Sequence, residues 1–217
     1  MHDAYQFDWV AENIFAPIYP VIADDLLRRT GKKAGRMLDI GCGGGHLGLS
    51  VLRAAPQMQG ILLDKCPEAV EIADRRAAQW GLRGRVVAVV GDVQSLPFPS
   101  GSIDLVVSRG SMPFWEDIRL AFSEILRVLA PDGAAYIGGG MGNRELAAQI
   151  ERKMKEYDPA WPENLKRKSM GRDRAEYAAL LSQLGADAQF LEDDDKGKWT
   201  LLCRRGAGED GKEIGQA

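Results

Sequence analysis

Between residues 36 and 137 the chain repeats one pattern, a short apolar run that stops abruptly and then a segment with helical spacing. The apolar runs are 37–40, 60–63, 85–90, 103–107 and 134–137, and helical spacing occupies 46–55, 67–80 and 117–129. Runs this short, bounded by Gly, Asp or Pro, suit strands buried on both faces of a parallel sheet. Strands alternating with helices at this interval make an open parallel α/β sheet the expected architecture. Pro67 stands near the first turn of its helix, where the missing N–H costs nothing. Outside this region the rhythm loosens. Residues 8–15 and 18–27 read as helices interrupted by Pro17 and Pro20, and 143–157 and 174–184 as two more, joined by a Pro- and Trp-containing connection over 158–171. Residues 188–191 and 198–203 read as an antiparallel hairpin around the acidic turn Glu192-Asp193-Asp194-Asp195 and Gly197. The Gly- and charge-rich stretch 206–217 has little apolar to dock and is expected to be disordered.

Composition narrows the function classes. A content of 45% hydrophobic residues in 217 is enough for a buried core without disulfides or metal staples. The net charge of -3 argues against a surface devoted to nucleic acid. Two histidines and three cysteines (Cys42, Cys66, Cys203), with no C-x-x-C pair, disfavour a zinc finger or a His-rich metal site, so no metal is expected. An odd cysteine count without a recognisable leader suggests a reducing, cytoplasmic setting. No apolar run approaches the roughly 20 residues of a membrane helix. Glycine is the outlier at 25 residues, and its placement carries information.

Five glycines fall at 41, 43, 44, 45 and 48, directly after the first apolar run. A strand feeding a glycine turn that opens a helix lets a ligand approach the backbone near a helix N-terminus. Gly43-x-Gly45-x-x-Gly48 formally fits a dinucleotide fingerprint, but the register is wrong: Gly41 already holds the position that directly follows the strand. The spacing Asp39-x-Gly41-x-Gly43-x-Gly45 instead resembles motif I of class I S-adenosylmethionine-dependent methyltransferases. Further matches follow in order. Asp64 ends the second run, Gly91-Asp92-Val93 ends the third, Leu96-Pro97-Phe98 precedes Ser102-Ile103-Asp104-Leu105-Val106-Val107, and Arg127-Val128-Leu129-Ala130-Pro131-Asp132-Gly133 precedes the fifth. The resemblance covers roughly residues 36–140.

That resemblance implies a Rossmann-like, seven-stranded, mostly parallel sheet with helices on both faces, an antiparallel C-terminal hairpin and an N-terminal helical cap. It implies S-adenosyl-L-methionine as cofactor, with S-adenosyl-L-homocysteine as product. Cofactor contacts are expected from Tyr19, Asp39, Gly41, Cys42, Gly43, Gly45, Asp64, Lys65, Asp92, Val93, Ser108 and Arg109. A strand-end carboxylate such as Asp64 can accept hydrogen bonds from both ribose hydroxyls. Asp92 can accept from an exocyclic amine while the Val93 N–H donates to a ring nitrogen. Asp39 either lies near the methionine amino group or holds the loop. Each of these aspartates could equally cap the helix that follows it.

In an open α/β sheet the acceptor meets the cofactor outside the carboxyl ends of the strands, here beside 108–115. Arg109 either grips an anionic substrate group with its planar fork or pairs with Glu116 or Asp117. Phe15, Ser111, Phe114, Trp115 and Gly139 are candidates for the substrate pocket, with ordinary packing as the alternative for the aromatics. Arg109, Tyr19 and His46 are the candidate catalytic side chains, His46 also serving simply as the first residue of its helix. Glycines 138, 139, 140 and 142 form a second flexible turn beside this region.

The expected organisation is one methyltransferase domain over 1–205, with a cap at 1–31, a cofactor-binding core at 36–140, a helical lid or insertion at 141–185, terminal strands at 186–205 and a flexible tail at 206–217. The expected reaction is in-line methyl transfer to a small-molecule acceptor, with neither nucleic acid nor membrane as partner, by a monomer or homodimer. The competing readings are an RNA or protein methyltransferase using the basic stretch 152–174 around Lys166-Arg167-Lys168, a non-catalytic cofactor-binding protein, and a nicotinamide-dependent oxidoreductase.

Overall fold

The computed structural model describes residues 3–161, 174–193 and 197–204. Seven strands form one sheet: β1 (Ala34–Ile40), β2 (Gln57–Asp64), β3 (Val86–Val90), β4 (Ile103–Arg109), β5 (Leu129–Gly139), β6 (Ala186–Asp193) and β7 (Gly197–Arg204). Their spatial order is β3-β2-β1-β4-β5-β7-β6. The first five are parallel, and β7 lies antiparallel between β5 and β6. Seven helices are described: α1 (Ala4–Val10), α2 (Ile18–Thr30), α3 (His46–Ala54), α4 (Pro67–Gln79), α5 (Ile118–Val128), α6 (Arg144–Tyr157) and α7 (Arg174–Gln183).

The period-two alternation of the strands divides the interior into two layers. Met37, Leu62, Leu105, Val107 and Tyr136 enter a core with side chains of α2, α3, α4 and α6. Leu38, Ile40, Leu63, Val106 and Ile137, which alternate with them, enter a second core with α5 and α7. Both faces of the sheet are therefore covered, which explains why its strands read as unbroken apolar runs. The order reverses direction at β1 and β4, so the loops after these strands diverge and open a crevice at the carboxyl edge.

Three local expectations need correction. Pro20 does not interrupt a helix: it lies in the first turn of α2, whose N–H groups have no partner within the helix. The N-terminal helix begins earlier than residue 8, because Asp3 caps it by accepting from the Tyr5 N–H at 2.9 Å. It then widens into a π turn over Ala11–Phe15. β5 starts at Leu129 rather than 134, since the Pro131-Asp132-Gly133 sequence is absorbed as an irregularity in its pairing with β4. The tail 206–217, most of the connection 158–171, the Lys166-Arg167-Lys168 cluster and part of the acidic turn lie outside the described residues.

Candidate cofactor and acceptor site

The chain leaves β1 at Ile40 and reverses through 41–45 into α3. Gly41, Gly43 and Gly45 adopt φ of 66°, 51° and 83°, a region that L side chains enter at a cost of about 1–2 kcal/mol. Gly41 is further restricted because a Cβ there would run into the side chain of Ser111. The turn is fastened to β2. Gly41 and Cys42 donate their N–H groups to the Leu63 carbonyl at 2.8 and 3.0 Å. The Gly43 N–H donates to Asp64 Oδ2 at 2.8 Å, and the Cys66 N–H to Asp64 Oδ1 at 2.9 Å. A carboxylate offers about four lone-pair directions, so each Asp64 oxygen retains capacity for a further donor. The Cys42 thiol is buried, and that burial pushes its pKa upward, consistent with a packing residue.

Asp39 lies beneath this turn. Its side chain is buried, and Oδ2 accepts the N–H of Gly48 at 2.9 Å. Gly48 is the third residue of α3, one of the positions whose N–H lacks a partner within the helix, so Asp39 fastens the start of α3 to β1. Gly48 also tolerates no side chain, since a Cβ would lie 2.8 Å from Asp39 Oδ2. Of the two roles read from the sequence, this geometry corresponds to holding the loop. Burial pushes the Asp39 carboxyl up to about 7, the Gly48 N–H opposes that rise, and Asp64 adds to it.

This shift has a sign that can be measured. The folded chain binds the Asp39 proton more tightly than the unfolded chain does. The corresponding stabilisation is complete below about pH 4 and is lost as pH rises through about 7. Asp39→Asn removes the titration while retaining an acceptor for Gly48. Its melting temperature relative to the parent is therefore expected to rise between about pH 5 and about pH 8. A constant difference across that interval would contradict the assignment.

At the end of β3, Asp92 accepts the Gln94 N–H at 2.9 Å and lies 3.1 Å from Lys65 Nζ. Burial alone would raise its pKa, but the Gln94 and Lys65 contacts outweigh it and hold the carboxyl below its usual value. Lys65 is itself largely exposed and also reaches Glu116 at 3.0 Å. Val93 is buried in the core shared with α5.

Beyond β4 a polar cluster closes the gap to β1. Ser108 donates to the Ile40 carbonyl at 2.8 Å and its Oγ lies 2.6 Å from that of Ser111. The Trp115 indole N–H reaches Ser111 Oγ at 3.1 Å. Trp115 packs edge-on against Phe122, with ring centroids 5.5 Å apart, within the core that α5 closes. Phe114 is exposed, in a short 3₁₀ turn over Met112–Phe114. Gly139 sits at the end of β5 with open space where a side chain would be.

Arg109 is the last residue of β4. Its guanidinium lies over the rings of Phe15 and Tyr19, 5.0 and 5.5 Å from their centroids. Nε and Nη2 both donate to the Gly140 carbonyl at 3.2 Å. The alternative pairing with Glu116 or Asp117 does not form: Glu116 meets Lys65, and Asp117 caps α5 by accepting from Leu120 N. Tyr19 is buried and stacks on His46 at 5.0 Å. Burial raises the Tyr19 pKa, with Arg109 opposing, so the phenol stays protonated at neutral pH. His46 is buried as well, with Nε2 2.9 Å from Glu12 Oε2. Burial and the nearby Arg76 lower its pKa, against the opposing influence of Glu12 and Asp8.

The sequence reading passed over the group that joins these parts. Arg76 of α4 is buried, yet it makes a forked ion pair with Asp8, at 2.8 and 3.0 Å, and approaches Glu12 at 3.2 Å. The same guanidinium donates to the carbonyl of Gly44 inside the glycine turn. Arg76 thus ties the N-terminal helix to the turn, with His46 joining through Glu12. A Cβ at Gly44 would meet the ends of the Asp8 and Arg76 side chains, so a larger residue there would displace this ion pair. One signal was available. Arg76 stands on the apolar stripe of α4 with Ala69, Ile72, Ala73 and Ala77, where an arginine is out of place unless paired.

Sheet order, a glycine turn after β1 and carboxylates after β2 and β3 define a Rossmann-like methyltransferase fold. Residues 37–133 match the family model described as a methyltransferase domain. The crystal structure of a Methanococcus maripaludis protein assigned to the S-adenosyl-L-methionine-dependent methyltransferases superposes with a TM-score of 0.86 at 35% identity, covering 97% of this chain and 94% of that one. This chain belongs to the S-adenosyl-L-methionine-dependent methyltransferases, a family whose cofactor is S-adenosyl-L-methionine. It is 35% identical over 104 residues to 2-methyl-6-phytyl-1,4-hydroquinone methyltransferase 2, chloroplastic, of Oryza sativa subsp. japonica, which covers 48% of this chain and 29% of the relative. It is 39% identical over 107 residues to ajmaline N-methyltransferase of Rauvolfia serpentina, covering 49% and 36%. The chain thus spans about a third of the length of these curated relatives. Among the described residues no helix is long and apolar enough to cross a membrane, and no cluster of His, Cys, Asp or Glu is arranged to hold a metal ion.

Proposed function

We propose that the chain transfers a methyl group from S-adenosyl-L-methionine to a small-molecule acceptor. The observation that carries this reading is the row of features on three adjacent parallel strands: the glycine turn after β1, Asp64 at the end of β2 and Asp92 beyond β3. Asp64 would accept from the two ribose hydroxyls with the lone pairs that Gly43 and Cys66 leave available. Asp92 would accept from the adenine amine, with the Val93 N–H beside it. The 41–45 backbone, unobstructed by side chains, would hold the amino-acid end. When bound, the cofactor supplies an electrophilic methyl group. The chain's own contribution is alignment and exclusion of water, and orientation alone can be worth about 7–11 kcal/mol of barrier. Phe15 and Tyr19, carried by the N-terminal helices, would cover the acceptor side. The protonated Tyr19 and the Glu12-bound His46 are better suited to shaping this cover than to accepting a proton. In the same reading residues 1–205 act as one methyltransferase domain. The names of the rice and Rauvolfia relatives, each a methyltransferase of a small molecule, support this acceptor class.

Calorimetry should detect S-adenosyl-L-homocysteine binding and no NAD(P) binding. Labelled S-adenosyl-L-methionine incubated with the protein and an extract of its native cell should then yield a labelled small molecule, identified by mass spectrometry. Label that appears only in RNA or protein would refute the acceptor class, and NAD(P) binding without S-adenosyl-L-homocysteine binding would refute the family chemistry.

A further inference from the structure

Arg109 is a cation without a counter-charge. It is partly buried at the end of β4, and among the described residues no carboxylate lies within salt-bridge distance of it. The nearest candidates in sequence are engaged elsewhere, Glu116 with Lys65 and Asp117 with the first turn of α5. What surrounds the guanidinium is two aromatic faces, Phe15 and Tyr19, the carbonyl of Gly140, and the Met141 sulfur 3.9 Å from Nη2. The Gly140 carbonyl occupies the Nε–Nη2 edge. Nη1 has no acceptor among the described residues and Nη2 meets only the weak thioether acceptor of Met141 on that side, so the Nη1–Nη2 edge can offer its fork to a stronger acceptor. Burial lowers the Arg109 pKa, with Tyr19 opposing, which shows that the surroundings favour the charge poorly as they stand. Cation–π contacts return less than desolvating an ion costs. An anion is the natural complement, and a guanidinium edge matches a carboxylate or phosphate with two parallel hydrogen bonds.

Position indicates which molecule brings that anion. The cofactor features lie on β1, β2 and β3, whereas Arg109 lies on the opposite side of β1, at the β4–β5 edge. It is flanked there by the glycine cluster after β5 and by the two lid rings. A positive sulfonium and a guanidinium in one water-poor site also repel unless a negative group stands near both.

Resting on the methyltransferase reading, we propose that the acceptor is an anionic small molecule, its carboxylate or phosphate gripped by the free edge of Arg109 against the Phe15 and Tyr19 rings. Both rings belong to the N-terminal segment, so the anion would hold the lid in place as well as orient the reacting atom.

The test uses the full chain and its Arg109→Met and Arg109→Lys variants. Binding of S-adenosyl-L-homocysteine is measured first; if the parent does not bind it, the methyltransferase reading fails and not this inference. Next, benzoate and its neutral counterpart benzamide are titrated into the parent saturated with S-adenosyl-L-homocysteine. Benzoate should bind saturably and benzamide should not. Arg109→Met should weaken benzoate by about tenfold or more, and Arg109→Lys, which keeps the charge but not the fork, by less. Both variants should bind 5′-methylthioadenosine within about threefold of the parent, which verifies that they fold. The labelled product from the extract should be retained on an anion exchanger. The inference is overturned if benzoate shows no preference over benzamide, if Arg109→Met binds benzoate as the parent does, or if the product is neutral or cationic. It is also overturned if Arg109→Met loses S-adenosyl-L-homocysteine but keeps 5′-methylthioadenosine, which lacks the amino-acid carboxylate. In that case Arg109 serves the cofactor.

Discussion

Asp64→Ala is expected to lower the affinity for S-adenosyl-L-homocysteine by at least about 100-fold, because it removes two charge-assisted hydrogen bonds at about 1.5–3 kcal/mol each. The carboxylate also receives the N–H groups of Gly43 and Cys66, so its loss loosens the very turn that faces the ligand. Asp64→Asn separates the two effects. It keeps the side-chain shape and one acceptor, so it can hold the N–H of either Gly43 or Cys66 but not both, while the charge disappears, and an intermediate loss is expected. Calorimetry on both variants decides the matter. If alanine binds like the parent, the ribose does not sit at the end of β2. Asp92→Ala is expected to weaken binding less, since its carboxylate is already shared between Gln94 and Lys65.

The second large effect is on the N-terminal helix. Arg76→Met should destabilise the fold by about 2–3 kcal/mol, read as a shift in urea midpoint at unchanged slope. Breaking a fully buried ion pair would cost more. Here the Asp8 and Glu12 side chains keep 19% and 51% of their exposure, so water recovers part of the loss. Hydrogen exchange over residues 4–15 should accelerate, and S-adenosyl-L-homocysteine should bind more weakly because the Gly44 carbonyl loses its donor. Combining Arg76→Met with Asp8→Asn should cost much less than the two changes added together, as contacting residues are coupled. Simple additivity would mean that the ion pair does not join the N-terminal helix to the turn.

The sheet and the row of turn and strand-end carboxylates were legible because they depend on local sequence. A strand end, a glycine turn and an aspartate at its rim are set by neighbours within a few positions, and they recur in order at Asp39, Asp64 and Asp92. The ion-pair network was not legible because its members, at 8, 12, 44, 46 and 76, meet only once α1 and the π turn after it reach the start of α3 and the last turn of α4. Arg109 shows the reverse error. Glu116 and Asp117 looked like partners through closeness in sequence, but the 3₁₀ turn at Met112–Phe114 directs the chain away, and Glu116 meets Lys65 instead. Trp115 was open between a pocket wall and packing against the following helix, and its ring packs edge-on against Phe122 while its N–H reaches Ser111. The early start of β5 was hidden by Pro131-Asp132-Gly133, a sequence that would ordinarily be a turn.

The place of β7 sets a timetable for synthesis. β5 is complete at Gly139, but the strand that covers its outer edge ends only at Arg204. At about 5–20 residues per second a ribosome needs roughly 3–13 s to supply the intervening chain. Throughout that interval β5 presents an unpaired row of N–H and C=O groups, and Tyr136 waits for Trp199, on which it stacks at 4.7 Å. A nascent chain stalled before residue 197 therefore carries a sticky edge, while one released after 204 does not. The outer edge of β5 is covered only once β7 is in place.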